Sequence, residues 1–224
     1  AMIDGVPLAF THDICRLPET PILSLLSVYE QAVFTPYIIP RDIISKTLVV
    51  FGNKDNAFVK AQEEVKSLSK TLGFHIATCL SIDELEQAMS DRKPELLIID
   101  AHGDVDEDTH QTFLWVGNER LTSDIVVKRN LSARLVFLSA CKTSTTCNTV
   151  STIGNAFFEA GANAVTTSYL PVYVNEATLL YSRLLRLLKE AATKPIHKNW
   201  LAFMAYLQRT SYIESLVTEA KDEN

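Results

Sequence analysis

The chain has 224 residues, 47% of them hydrophobic and 21% charged, with a formal net charge of −6. That is the balance of an ordinary globular protein with enough apolar side chains for a core. The acidic charge, with no basic stripe or aromatic-interleaved basic patch, excludes a general nucleic-acid binder, whose phosphate contacts rely on clustered Lys and Arg.

No apolar run reaches the ~20 residues of a membrane helix. The start, "AMIDGVPLAF", lacks the basic and apolar regions of a signal peptide. Ala1 before Met2 suggests a segment excised from a longer protein. Four cysteines (Cys15, Cys79, Cys141 and Cys147) are too few and too irregular for a disulfide scaffold. The expectation is a cytoplasmic protein with free thiols.

In chain order, residues 1–45 are irregular. "RLPETP" and "FTPYIIPRD" are proline-rich, and the segment reads as a packed extension with short strands and a helix over "ILSLLSVYEQA" (22–32). From residue 46 the rhythm changes. "KTLVVFG" (46–52) is a strand closed by Gly52. "NAFVKAQEEVKSLSKTLG" (56–73) places Phe58, Ala61, Val65, Leu68 and Leu72 at helical spacing and stops at Gly73. "FHIATCL" is a second strand, and "SIDELEQAMSD" a second helix in which Ser81 and Glu84 fit a capping box. "ELLIIDAHG" (95–103) and "ARLVFLSAC" (133–141) are almost continuously apolar, as parallel strands covered on both faces are. Between them, Gly117-Asn118 separates two short β-like runs and predicts a hairpin, followed by a short helix from near Ser123. "STIGNAFFEAG" is a helix ending at Gly161, and "ANAVTTSY" a fifth strand. A strongly amphipathic helix over 176–192 and another from about Trp200 to about Ala220 complete the chain.

Alternating strands and helices imply an α/β fold with a mostly parallel central sheet flanked by helices. No internal repeat or linker is evident, so residues 1–224 are expected to form one domain. It would comprise the extension (1–45), the α/β core (46–192) and a C-terminal helical segment (193–224).

In open parallel sheets, reactive groups collect beyond the carboxyl ends of the strands. The third strand delivers His102 and Gly103 there, and the fourth delivers Cys141. If those strands are neighbours, an imidazole and a thiol share one rim. A free thiol with a pKa of about 8.5 holds little thiolate at neutral pH unless a base or positive charge is near. His102 can activate Cys141 or protonate a leaving amine. The backbone amides of Gly103 and Cys141 are candidates for an oxyanion hole. Asp100 lies two residues before His102. It could orient that ring, sit in a pocket that binds a basic substrate side chain, or cap a helix. The other acids of "DAHGDVDEDTH" read as solvated loop charges.

A zinc set of His102, His110, Cys141 and Cys147 has spacings that match no compact signature. No metal or cofactor is therefore expected. A Cys141–Cys147 disulfide does not suit a reducing cell. Neither a glycine-rich phosphate loop nor a G-x-S-x-G elbow is present.

Four ordered blocks resemble the CHAT domain, a caspase-like cysteine peptidase module of the clan of caspases, separases and gingipains. They are "AHG" after an apolar strand, "FLWVGNERLTSDI", "ARLVFLSACKT", and "GNAFFEAGANAVTTSYLPVYVNEAT". The resemblance runs from about residue 95 to about residue 188. It implies a caspase-like three-layer sandwich and a His–Cys dyad carried by His102 and Cys141. It also implies cytoplasmic proteolysis within a regulated pathway, commonly in bacteria. The partners implied are a protein substrate and a regulatory TPR or sensor domain, with no nucleic acid and no membrane. Two features depart from the family pattern: Leu170 and Asn175 in "SYLPVYVNEAT", and "KTSTTCNTVSTIG" where a glycine-rich loop usually follows the cysteine.

The expectation is a cysteine endopeptidase acting through a thioester. Its loops around 104–112 and 142–152 would be ordered by a partner. The rival readings are a catalytically inactive caspase-like interaction module and a small-molecule-binding α/β domain.

Overall fold

The computed structural model describes residues 2–3, 6–7, 10, 12–14, 38–143, 152–168, 171, 173–194 and 196–222. The helix expected over 22–32, together with Cys15, Cys147 and Leu170, lies outside them. At the start, β1 (Met2–Ile3) and β2 (Val6–Pro7) form a short antiparallel pair.

The core strands are β3 (Thr47–Phe51), β4 (His75–Thr78) and β5 (Leu96–Asp100). A second, three-stranded sheet holds β6 (His102–Val105), β7 (Thr112–Val116) and β8 (Glu119–Leu121). The core resumes with β9 (Leu135–Ser139) and β10 (Ala164–Thr166). The helices are α1 (Asn56–Leu72), α2 (Ile82–Arg92), α3 (Ser123–Lys128), α4 (Ile153–Glu159), α5 (Val174–Thr193) and α6 (Trp200–Asp222).

The main sheet is parallel throughout, in the order β10-β9-β5-β3-β4. Period-two alternation divides its side chains between two cores. Leu48, Val50, Leu97, Ile99, Val136 and Leu138 pack with α2, α3, α4 and the small sheet. Val49, Phe51, Leu96, Ile98, Leu135 and Phe137 pack with α1, α5 and α6. Both faces are covered, which is why the central strands carry no polar alternation and read as continuous apolar runs. The result is the three-layer α/β sandwich expected.

Local signals account for the element ends. Gly73 closes α1 at φ 91, with its N–H on the carbonyl of Ser69. The Ser81 hydroxyl accepts from the Glu84 N–H at 3.2 Å, as a capping box requires, but the Glu84 carboxylate takes the Leu80 N–H rather than that of Ser81. Gly117 has φ 60 and is the first of two turn residues between β7 and β8, the pattern of a type II′ hairpin.

One boundary differs from the sequence reading. The run "ELLIIDAHG" is not one strand. It leaves the main sheet at Asp100, turns at Ala101, and re-enters pairing at His102 as β6, antiparallel to β7 with His102 opposite Trp115. The small sheet therefore has three strands where a hairpin of two was expected. The segment after His102, read as a loop, is partly strand.

The hairpin is fastened to the main sheet at its tip. The Gly117 N–H donates to the Gly52 carbonyl at 2.7 Å, and a Cβ on Gly117 would stand 2.0 Å from the Leu80 carbonyl oxygen. Gly117→Ala therefore combines positive φ with a backbone collision. It is expected to destabilise the fold by about 2–4 kcal/mol in urea unfolding.

Candidate active site

Parallel neighbours in register bring the two expected residues to one rim. On β5 and β9, Asp100 pairs with Ser139, and the Ala101 N–H continues the ladder to the Ser139 carbonyl at 3.2 Å. One residue later the chains reach His102 on one side and, after buried Ala140, Cys141 on the other. Gly103 packs directly on the Cys141 backbone: a Cβ there would lie 2.1 Å from the Cys141 carbonyl oxygen and 3.2 Å from its nitrogen. Only glycine permits that approach. The His102-Gly103 step and Cys141 thus adjoin at the carboxyl end of the sheet.

His102 is half exposed, and its Nε2 lies 2.7 Å from the Asp55 Oδ2. The edge-on ring of Phe58 stands 4.8 Å away, centroid to centroid. Asp55 follows β3, and β3 and β5 are adjacent at the position where the strand order reverses direction. Open α/β sheets form a crevice there. Asp55 occupies the N-cap position of α1, yet its side chain makes no cap hydrogen bond. A capping aspartate ordinarily contributes ~1 kcal/mol. Here the carboxylate is turned to the imidazole instead. Sequence reasoning missed Asp55. In "GNKDN" it looks like a turn or cap residue, and only the order of strands brings it to His102.

Asp100 is not on an open groove wall. Asp100 is 1% exposed on the α5 face and accepts hydrogen bonds from the Ser139 hydroxyl at 3.0 Å and the Tyr181 hydroxyl at 3.1 Å. Two hydroxyls thus occupy the Asp100 carboxylate, and it is Asp55 that meets the His102 ring.

Burial pushes the Asp100 carboxyl up to about 6, against the lowering effect of the Ser139 and Tyr181 hydrogen bonds and of His102. Burial, then the Asp100 charge, also raises the Tyr181 phenol. Burial, with a lesser contribution from Glu84, pushes the Cys79 thiol up to about 11, so that cysteine is inert at neutral pH.

The loop after Cys141 begins under constraint. Lys142 has φ 52, a left-handed backbone that glycine would adopt more readily, and its ammonium is 3.8 Å from Asp104. Thr143 is fully buried; its hydroxyl accepts from the Ser168 N–H at 2.9 Å, tying the loop to the exit of β10. Residues 144–151 lie outside the described residues.

The acidic segment after β6 holds itself together. The Thr109 N–H and hydroxyl donate to Asp106, keeping its carboxyl below the usual range, and Arg120 pairs with it at 2.9 Å. Among the described residues no three His, Cys, Asp or Glu side chains converge to hold a metal, and Cys147 is outside them.

Two cavities are relevant. The larger, about 510 Å³, opens at the amino ends of the strands among residues such as Lys93, Arg129 and Arg134, far from the Cys141 rim. The smaller, about 310 Å³, is bounded by Phe137, Ser139, Ala140, Thr167, Leu180 and Gln208, beside the approach to Cys141. None of its described lining residues is charged.

The CHAT domain family matches residues 26–196, reaching well upstream of the four motif blocks. The chain belongs to the CHAT-domain family, a group of caspase-like domains. No curated protein matches it. Among solved structures, a short-chain flavodoxin associated with a bacterial microcompartment is similar over 66% of this chain and 97% of its own. The identity is 16% and the TM-score 0.33, too low to carry an argument. No helix of the described residues is long and apolar enough to cross a membrane.

The buried carboxyl gives a stability test. Its folded pKa of about 6 exceeds the 3.8 of a free group. The stabilisation from the protonated form is complete below pH ~4 and is lost as pH rises through ~6. Asp100→Asn removes that titration. Its stability relative to the wild type should climb between pH 4 and 6 and level off above, with a total change of ~3 kcal/mol in urea unfolding followed at each pH.

Proposed function

We propose that the chain is a cysteine endopeptidase in which Cys141 attacks a peptide carbonyl and His102 manages the protons. The observation that supports this most directly is the seat of Gly103 on the Cys141 backbone, which brings imidazole and thiol to one rim. His102 takes the thiol proton as the C–S bond forms, and returns it to the amine as the C–N bond breaks. Water then hydrolyses the thioester, giving a carboxylic acid and the free thiol. The N–H groups of Gly103 and Cys141 are the donors for the oxyanion in both steps. The thioester chemistry is complete without a metal or organic cofactor.

The uncharged cavity beside Ala140 suits an uncharged, largely apolar side chain on the residue before the cleaved bond. A charged side chain would be desolvated there with no counter-charge among the described lining. The partners that fit are a protein substrate and a regulatory TPR or sensor domain acting on the loop that follows Cys141.

Cys141→Ala and His102→Ala are each expected to abolish cleavage while the fold is retained. A peptidyl electrophile should modify Cys141 well before Cys79, as read by mass spectrometry. Retained turnover in either variant sinks the assignment, and even labelling of the two thiols favours an inactive interaction module.

A peptide library presented to the protein should be cut after apolar, uncharged residues in preference to Asp, Glu, Lys or Arg, by about tenfold or more. Preference for a charged residue would place the specificity pocket elsewhere.

A further inference from the structure

We propose that Asp55 is a positioning residue for His102, fixing the tautomer and direction of the imidazole that acts on Cys141. This rests on the peptidase reading above. An ionised carboxylate only accepts hydrogen bonds. With Oδ2 at 2.7 Å, Nε2 therefore carries a proton, and Nδ1 is the nitrogen left to receive one from the thiol. The Phe58 ring packs against the imidazole in a T-shaped contact, centroids 4.8 Å apart.

Asp55 is itself held. Its N–H donates to the Asn53 side-chain oxygen at 3.2 Å, and the carbonyl of buried Asn53 accepts from Gln62 at 3.1 Å. Its own carbonyl accepts the Phe58 N–H of α1 at 2.9 Å. A residue with this backbone would normally turn its carboxylate onto the helix amides. Forgoing that cap for a histidine on another strand is a local loss that the dyad explains and helix formation does not.

Other charges reach His102 less directly. Asp100 of β5 feels its charge from the buried side, bonded to Ser139 and Tyr181. Asp104 of β6 faces Lys142. Among the described residues, Asp55 is the carboxylate in hydrogen-bond contact with the ring.

The experiment has two arms. In Cys141→Ala protein, the His102 Nε2–H proton is followed by NMR with and without Asp55→Ala. It should be shifted downfield and protected from exchange when Asp55 is present, and lose both signatures in Asp55→Ala. In the Cys141-bearing chain, Asp55→Ala should lower kcat by about 10- to 100-fold with KM unchanged. That is less than the ~10⁴ of a buried triad carboxylate, because solvent screens this pair. Asp55→Asn, which keeps an acceptor oxygen, should retain more activity than Asp55→Ala. Iodoacetamide should also alkylate Cys141 more slowly at pH 6.5 in both variants. An Nε2–H signal unchanged by Asp55→Ala overturns the assignment whether or not the wild type cleaves anything. A signal lost with Asp55 in a chain whose wild type cleaves nothing upholds the hold of Asp55 on His102 and removes the peptidase reading instead.

Discussion

The arrangement depends on a missing methyl group. With any side chain at position 103, β6 could not lie against the backbone of Cys141, because a Cβ would stand 2.1 Å from the carbonyl oxygen, far inside van der Waals contact distance. That contact joins two chain segments that leave the sheet from neighbouring strands. It fixes where His102 starts, and through the pairing of His102 with Trp115 it fixes where the small sheet sits. Gly117 and Gly52 fasten the far end of that sheet in the same manner.

What could be read in the sequence and what could not divide along physical lines. Strands β5 and β9 declared themselves because a strand covered on both faces must be apolar at every position. The end of α1 declared itself through a glycine that could take φ 91. The hairpin turn was legible for the same reason at Gly117. The change of sheet at Ala101 left little trace, since "LLIIDAHG" has no proline and no turn dipeptide, and the lone Asp100 reads as an end-of-strand acid rather than a change of sheet.

Asp55 was illegible for a different reason. Its 47-residue separation from His102 becomes a hydrogen bond only through the order β9-β5-β3-β4, and strand order is a property of the packed sheet, not of any local pattern. The thiol and the imidazole were found because each ends a recognisable strand; the carboxylate lies in the connection after one. The CHAT-domain match spans all three positions and by itself assigns a role to none of them.

Beneath the rim, Asp100 joins β5, β9 and α5 through the hydroxyls of Ser139 and Tyr181. Helix α5 packs in turn on α6, whose Phe203 and Leu207 share its core. The outer helical layer is thereby keyed to the two strand ends from which His102 and Cys141 emerge. A push on α5 that slid it along the sheet would pull a hydroxyl from a desolvated carboxyl, at a cost of about 1–3 kcal/mol, and the strain would arise two residues from His102 and two from Cys141. Beside the apolar packing, one buried acid thus transmits the position of the outer helices to that rim.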